Sequence, residues 1–194
     1  MKTEEKEQWM TCPRIDNDLY PGLSYLSTLN KLIVAKKRDA LHNLFGKNII
    51  GYTIYNGHGQ KVFIAVQRRE SKKVEIKIFN YYGNEVINLR RPRAFCLNRI
   101  LIWAPPGNFL GSIQGRKCRG ALIKNDTDNV LLKIKSRGLF CCVHDILSEG
   151  ESVGEVETRI CCNSIQNNVS IIFPVEMNVE HKSILLGACF LIGA

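Results

Sequence analysis

The chain has 194 residues and carries 27 Lys and Arg against 18 Asp and Glu, a formal net charge of +9 at pH 7. Its apolar content of 45% is ordinary for a globular protein, and the length suits one domain with a sizeable core. The charged N-terminus shows no signal-peptide pattern. The eight cysteines are therefore expected to be thiols or modified thiols in a reducing compartment, which argues against a disulfide scaffold.

The charge is divided unevenly along the chain. Residues 1–140 hold 25 Lys and Arg against 11 Asp and Glu, whereas residues 141–194 hold 2 against 7. A basic body favours an anionic partner, either a membrane surface or nucleic acid, although a solvated basic surface would give the same balance. No recognised nucleic-acid motif accompanies the basic clusters.

The first residues of the chain differ in character from the rest. Residues 1–19 are polar and are expected to be a loosely ordered tail, and residues 20–194 are expected to form the folded domain. The domain opens on a turn signal at Tyr20-Pro21-Gly22. Apolar residues of mixed spacing follow it, which predicts one helical turn leading into a strand, with residues 36–38 on the surface.

From Asn48 onward the apolar residues alternate with polar ones, as they do in half-buried strands. Residues 50–55 and 62–66 flank a turn at 56–59, and residues 74–79 and 86–89 flank a turn at 80–83. Each set predicts a hairpin. The hairpins repeat at a spacing of 24 residues, and residues 123–130 resemble a weaker third copy.

The rest of the chain predicts more strands and one helix. Strands are expected at 99–104, 109–114, 131–135 and 153–157, and residues 169–174 are also extended in character. The final stretch, Ser183 to Ala194, is apolar on every face of a helical wheel, and its apolar side chains are those of Ile184, Leu185, Leu186, Phe190, Leu191 and Ile192. Twelve residues of helix span roughly 18 Å, short of the roughly 30 Å hydrocarbon core of a bilayer. This favours a buried central helix, covered by a closed sheet, over a short membrane-inserting tail.

Several motifs resemble, in the same order along the chain, those of phospholipid scramblases. The most specific are Ala104-Pro-Pro-Gly107 and Gly187-Ala-Cys-Phe-Leu-Ile192. The others are Pro21-Gly-Leu-Ser-Tyr-Leu26, Gly59-Gln-Lys-Val-Phe63, Gly83-Asn-Glu-Val-Ile87, Arg91-Pro92, Gly111 with Gln114, and Phe173-Pro174. The resemblance covers about Tyr20 to Ile192 and identifies a short and divergent member of that family. It implies a mainly β fold, a tubby-like closed antiparallel β-barrel of hairpins around one hydrophobic C-terminal helix.

The resemblance also implies an activity. Family members move phospholipids in both directions between membrane leaflets, triggered by calcium and independent of ATP, as lipid translocators rather than covalent-chemistry enzymes. It implies attachment to the cytoplasmic face of a membrane, the plasma membrane above all, through palmitoylated cysteines. The implied partners are the phospholipid membrane and its anionic lipids, with a homo-oligomer as a further expectation.

The family's acidic calcium segment corresponds here to residues 165–178. Three side chains in it offer oxygen ligands, and these are Asn167, Glu176 and Asn178. Calcium prefers about six to eight oxygens, several of them from carboxylates. One acid therefore predicts weak or absent calcium binding.

The family's cysteine run after the Arg-Pro pair is reduced here to one residue. One acyl chain gives only marginal membrane binding, so a second signal is needed. The acylation candidates are Cys96, Cys141, Cys142, Cys161 and Cys162, and the anionic-headgroup candidates are Arg90, Arg91, Arg93, Arg116 and Lys117. Adjacent cysteines on a strand point to opposite faces, so half of the paired cysteines are expected to pack in the core. A zinc site or a cysteine hydrolase lacks the spacing or the local signature that such sites show.

Two further hypotheses remain beside the scramblase. The first is a non-transporting tubby-like adaptor that binds anionic lipid or protein partners and has lost its calcium site. The second is a nucleic-acid-binding module, which would bind duplex DNA with a steep salt dependence.

Overall fold

The computed structural model describes residues 8–13, 22–37, 49–70, 73–92, 98–116, 120–138, 142–159 and 168–192. After a single 3₁₀ turn at Ser24–Leu26, the described residues form twelve strands and one helix. The strands are β1 (Lys31–Lys37), β2 (Ile49–Asn56), β3 (Lys61–Glu70), β4 (Lys73–Phe79), β5 (Glu85–Arg91), β6 (Arg99–Trp103), β7 (Phe109–Arg116), β8 (Gly120–Asn125), β9 (Val130–Ser136), β10 (Val143–Ser148), β11 (Glu151–Arg159) and β12 (Asn168–Ile172), and the helix is α1 (Val179–Ile192).

The strands form a closed antiparallel barrel in which each strand pairs with its neighbours in sequence and β1 closes the ring on β12. Lys31 at the start of β1 lies opposite Ile172 at the end of β12. Because the ring is closed, none of the twelve described strands is an unpaired sheet edge. This architecture confirms the fold that the resemblance implies.

Three hairpin turns share one design, which explains the repeat in the sequence. The side-chain Oδ1 of Asn56 accepts hydrogen bonds from the backbone N–H groups of His58 at 3.0 Å and Gln60 at 2.9 Å. The same two bonds recur at Asn80, and Asn125 keeps the second of them. The fourth residue of each turn has a positive φ, at Gly59 (78°), Gly83 (79°) and Asp128 (65°). The weaker third copy is thus a real hairpin, with Asp in place of Gly.

The antiparallel ring has two distinct ends. At one, which we call the turn end, short turns join β2 to β3, β4 to β5, β6 to β7, β8 to β9 and β10 to β11. At the other, the loop end, the alternate strand pairs from β1–β2 to β11–β12 are connected. α1 follows β12 at the turn end, and its last residues lie toward the loop end.

α1 fills the interior of the barrel. Its residues from Lys182 to Phe190 are all buried, in line with an apolar wheel that has no polar face. Gly187 lies against the wall so closely that a Cβ there would be 2.8 Å from Ile102 Cδ1. Phe190 meets Tyr52 edge to face, with ring centroids 5.1 Å apart. The expectation of a buried central helix is confirmed for the described residues.

Some boundaries differ from the sequence-based expectations. The helix begins at Val179 rather than at Ser183, because residues 179–182 continue the helical hydrogen bonding, with the Lys182 N–H donating to the Asn178 carbonyl at 3.0 Å. Strand β10 carries no alternating apolar pattern and was not predicted. At the N-terminus, Trp9 forms a parallel bridge with Lys61, so residues 8–13 lie against the barrel.

Candidate functional site

The loop end gathers most of the basic clusters of the sequence. The strand ends at this end carry Arg68, Arg91, Arg116 and Lys37, and Arg137 follows the end of β9. These residues are far apart in sequence, and the antiparallel topology alone brings them to one end of the barrel. The C-terminus of α1, with its partial negative charge, points the same way.

The anionic-headgroup candidates have different surroundings. Arg90 is exposed but bonds Glu75 through Nε at 3.2 Å, and its Cζ lies 5.2 Å from the centroid of the Trp103 ring. Arg91 is half-buried at the end of β5, and Arg116 ends β7. The remaining candidates, Arg93 and Lys117, lie outside the described residues.

Among the acylation candidates, the structure describes Cys142. Its thiol is exposed, directly before β10 at the loop end, and its backbone carbonyl accepts a hydrogen bond from the Thr158 N–H at 2.8 Å. The other candidates, Cys96, Cys141, Cys161 and Cys162, lie outside the described residues. In contrast, burial raises the pKa of the Cys189 thiol to about 12, so this helix cysteine stays protonated and packs as an apolar residue.

Two of the three calcium candidates, Glu176 and Asn178, lie between β12 and α1, at the turn end. Glu176 is exposed, and the Asn178 Oδ1 accepts the Glu180 N–H at 2.7 Å, which caps the start of α1. Asn167 lies outside the described residues. Within the described ranges, no group of three or more His, Cys, Asp or Glu side chains is placed to hold a metal ion. The two described candidates are thus an exposed carboxylate and a helix cap.

Beside this segment lies a buried cation that sequence reasoning missed. Lys182 has no exposed surface, and its ammonium donates to four backbone carbonyls, so one of its three N–H groups is shared between two of them. These are Leu26 at 2.9 Å, Ser27 at 3.2 Å, Leu29 at 2.9 Å and Val175 at 2.6 Å. The Phe173 ring lies beneath the ammonium at 5.3 Å. The one sign in the sequence is a lysine at the edge of an apolar run, directly before the predicted start of the helix at Ser183.

The electrostatics of Lys182 follow from its burial. Burial lowers its pKa from 10.5 to about 8, and the Glu176 carboxylate acts in the opposite direction. At pH 7 the amine therefore carries its proton. The charged amine ties α1 to the 3₁₀ turn before β1, more than 150 residues away in sequence.

The helix itself does not meet the requirements of a membrane span. No helix in the described part of the chain combines the length and the apolar character that crossing a bilayer requires.

Comparison with known proteins bears on the whole barrel. The family model for Scramblase matches residues 10–194, which takes in every strand and the helix. The chain belongs to the scramblase family.

Individual scramblases are similar over most of this chain. Phospholipid scramblase 1 of Homo sapiens is 30% identical over 216 aligned positions, covering 95% of this chain and 68% of the relative. Its counterpart in Rattus norvegicus is 29% identical, with 64% of the relative covered. Phospholipid scramblase family member 5 of Homo sapiens is 27% identical, covering 89% of this chain and 76% of the relative. The chain therefore spans about two thirds to three quarters of the length of these relatives.

A solved structure supports the fold. An X-ray structure of a protein from Arabidopsis thaliana matches with a TM-score of 0.53 and 12% identity, covering 88% of this chain and 93% of the other. At that identity the match concerns the barrel architecture alone.

Proposed function

We propose that this scramblase-family chain moves phospholipids between the two leaflets of a membrane, in both directions and without ATP, with calcium as the trigger. The observation that carries the proposal is the family match over residues 10–194, together with the complete barrel and its buried helix. On this proposal the chain is a lipid translocator rather than an enzyme of covalent chemistry.

The loop end is the proposed membrane-facing surface. Arg68 and Lys135 are exposed there, and a basic residue near an anionic membrane surface contributes about 1 kcal/mol. Acylation of Cys142, at the same end, would supply the second signal that stable anchoring needs. Because the cytoplasmic leaflet is the anionic one, we place the protein at the cytoplasmic face, with the plasma membrane as the proposed site.

Calcium enters the proposal with a low expected affinity. In the described part of the segment, Glu176 supplies one exposed carboxylate, and Asn178 already uses its Oδ1 as a helix cap. Calcium sites need several such oxygens. We therefore expect a response in the millimolar range, where weak extracellular-type sites bind.

The adaptor is the second candidate function, and one observation favours it. α1 fills the barrel, so the interior offers no polar route for a headgroup while the helix remains in place. An adaptor would bind anionic lipid at the loop end without moving lipid across the bilayer.

Transport is tested with the full chain in liposomes that contain a fluorescent phospholipid. Dithionite destroys the outer-leaflet signal, and a scramblase exposes the protected inner-leaflet signal as well. We expect that loss with millimolar calcium, and a smaller loss with a chelator. Folded, membrane-bound protein that leaves the inner-leaflet signal intact under both conditions would refute the scramblase and favour the adaptor.

Membrane binding is tested separately with vesicles that contain phosphatidylserine. Changing Arg68 and Lys135 together to Gln removes two exposed loop-end charges, or about 2 kcal/mol, which corresponds to about thirtyfold weaker binding. The matched control changes Lys31, at the turn end, and Lys133, in the middle of β9, and should bind within about threefold of the unmodified protein. Equal weakening in both variants would mean that the loop end has no special role.

A further inference from the structure

The outer wall of the barrel carries a polar groove that the proposed function has not used. It is a cavity of about 170 Å³ over β4, β5 and β6, closed at one side by the turn at Pro106 and Gly107. The cavity is lined by Lys77, Glu85, Asn88, Arg90 and Trp103. Lys77, Asn88 and Trp103 are register neighbours on the three adjacent strands. The groove is therefore held by sheet pairing rather than by a loop.

A buried asparagine organises the charges of the groove. Asn88 is 4% exposed although it points away from the core. Its Nδ2 donates to Glu85 at 2.8 Å and to Glu75 at 3.3 Å, and its Oδ1 accepts from Arg90 Nε at 3.0 Å. Lys77 bonds the other oxygen of Glu85 at 2.9 Å. Two cations and two carboxylates are thus fixed side by side, with no net charge.

Both cations keep donors that face the groove. The hydrogen bonds that Arg90 makes to described residues all leave from Nε, so the two terminal nitrogens of its guanidinium can pair with a phosphate. Lys77 uses one of its three N–H groups on Glu85. The Trp103 ring holds the guanidinium from below and limits its rotation.

The carboxylates keep acceptor capacity in the same way. A carboxylate has about four lone-pair sites, and Glu85 uses two of them, one from Lys77 and one from Asn88. Burial acts to raise the pKa of Glu85, but the hydrogen bonds from Lys77 and Asn88 outweigh it and lower the pKa below 4.5, so the group is ionised at pH 7. An ammonium group that enters the groove would therefore find a charged acceptor beside the two phosphate donors.

We propose that this groove binds a zwitterionic phospholipid headgroup, with the phosphodiester on Arg90 and Lys77 and the ammonium on Glu85. A simple anion would face two carboxylates and a simple cation would face two basic groups, whereas a ligand with both charges matches a groove of no net charge. A primary ammonium donates hydrogen bonds to a carboxylate, and a trimethylammonium has no N–H to donate. The groove thus favours an ethanolamine headgroup over a choline headgroup.

The inference rests on the proposed function only in taking a membrane lipid as the source of the headgroup. The loop end would attract anionic membranes, and the wall groove, whose Arg90 lies one residue from the loop end of β5, would select a zwitterionic lipid. The groove lies on the outside of the barrel, so a headgroup reaches it without displacing α1.

The test is a titration of the full chain with soluble glycerophosphoethanolamine, followed by ¹⁵N NMR. The reporters are the indole N–H of Trp103 and the side-chain amide of Asn88. We expect saturable shifts of both signals, with glycerophosphocholine at least fivefold weaker. Inorganic phosphate and ethylammonium, each alone, should bind at least tenfold weaker.

Two near-isosteric variants and one control locate the site. Glu85→Gln and Arg90→Gln should each raise the Kd at least tenfold, and Lys133→Gln, an exposed charge elsewhere on the barrel, should leave it within twofold. No shift of the two reporters at tens of millimolar headgroup would overturn the proposal. Equal affinity for inorganic phosphate would overturn it as well, because the groove would then be a plain anion site.

Two further arms separate the sources of the ligand and the two proposals. Nanodiscs with phosphatidylethanolamine should shift the same reporters as the soluble headgroup does. Shifts with the soluble compound alone would assign the groove to a free metabolite and overturn the lipid source. If the headgroup binds but the inner-leaflet signal in the liposome assay stays intact, the proposed transport is refuted and the groove proposal stands. If lipid is transported but the headgroup does not bind, the groove proposal is refuted and the proposed transport stands.

Discussion

Replacing Lys182 by Met removes the buried ammonium and keeps most of the side-chain volume. The perturbation is specific because the unmodified side chain has no exposed surface and donates to four backbone carbonyls. The methionine side chain fills the space of the lysine's aliphatic chain but donates no hydrogen bond. The measured loss of stability therefore reports on the bonds between the ammonium and the carbonyls.

The magnitude follows from the carbonyls left behind. The Leu26 carbonyl keeps a hydrogen bond from the Leu29 N–H at 3.3 Å, so the cost falls on those of Ser27, Leu29 and Val175. A buried acceptor that loses its partner costs about 1–3 kcal/mol. Ser27 is half-buried and Val175 is exposed, so water can reach their carbonyls. The summed cost for the three carbonyls therefore lies near the low end, at about 1 kcal/mol for each. We expect a loss of about 3–4 kcal/mol.

The assay is urea unfolding of both proteins at pH 7, followed by circular dichroism. With an m-value of about 2 kcal/mol/M, the loss corresponds to a midpoint shift of about 1.5–2 M. The melting temperature should fall by about 6–16 °C. Lys133→Met is the matched control, since Lys133 is exposed on β9 and its replacement should change the free energy of unfolding by less than about 0.5 kcal/mol.

A small effect would refute the reasoning. If Lys182→Met changes stability by less than about 1 kcal/mol at an unchanged m-value, the four carbonyls do not depend on the ammonium. A changed m-value would instead mean that the variant alters the compactness of the folded or the unfolded state. The two proteins would then be compared by the difference in their melting temperatures.

Three further outcomes are expected. The pKa of Lys182 is about 8 in the folded state and 10.5 in the unfolded state, so between these pH values the unfolded state binds more protons. The free energy of unfolding, measured relative to Lys182→Met, should therefore rise from pH 8 to 10.5. A fall would show that the carbonyls favour the ammonium more than burial disfavours it. Gly120→Ala should lower the free energy of unfolding in urea by about 3 kcal/mol or more, because φ is 103° and a Cβ would overlap the Ile134 carbonyl oxygen. Gly59→Ala, with φ of 78° and open space around it, should lower it by only about 1–2 kcal/mol. Equal losses for the two variants would contradict the steric clash at Gly120. A chain truncated after Lys182 should not fold into the barrel, as measured by circular dichroism and NMR, because it lacks the buried part of α1. A truncated protein that stays folded and soluble would contradict the conclusion that α1 forms the core.

The hairpins were predictable because their turns are local. Asn56 and Asn80 each fix their own turn through two side-chain bonds, so the pattern of Asn and Gly in the sequence was enough to locate them. Strand β10 was not predictable in this way, because His144 and Asp145 break its apolar pattern and its pairing with β9 and β11 defines it. Local chemistry predicted the turns, and only tertiary pairing revealed this strand.

The helix start was misplaced for a physical reason. The predicted helix begins at Ser183, after the polar residues Glu180, His181 and Lys182. In the structure Asn178 caps the helix before them, and Glu180 lies in its first turn, where an acid is favoured. The cap signal was in the sequence, but a buried lysine without an acidic partner is too rare to assume. The carbonyls that accept it come from residues 26–29 and 175, which no local pattern connects.

The candidate site was predictable only in part. The basic clusters were visible in the sequence, but their meeting at the loop end follows from the strand order, since alternate connections of an antiparallel ring lie at the same end. The wall groove depends on the register that places Lys77, Asn88 and Trp103 in one row. A shift of one residue in β5 would turn Asn88 inward and remove the groove.

The position of α1 limits how this barrel can move a lipid. Withdrawing the helix would expose six buried apolar side chains and would also break the bonds of Lys182. The four large ones among them, Ile184, Leu185, Leu186 and Phe190, contribute about 1.5–3 kcal/mol each. That cost approaches or exceeds the whole stability of an ordinary domain, about 5–15 kcal/mol. A headgroup that travels along the outer wall meets no such cost, because the barrel stays closed and the groove on β4–β6 is already formed. On the proposed function, lipid selection at the outer wall therefore costs less than selection in the interior. Glu85→Gln separates the two, because it alters the groove while leaving the packing of α1 unchanged.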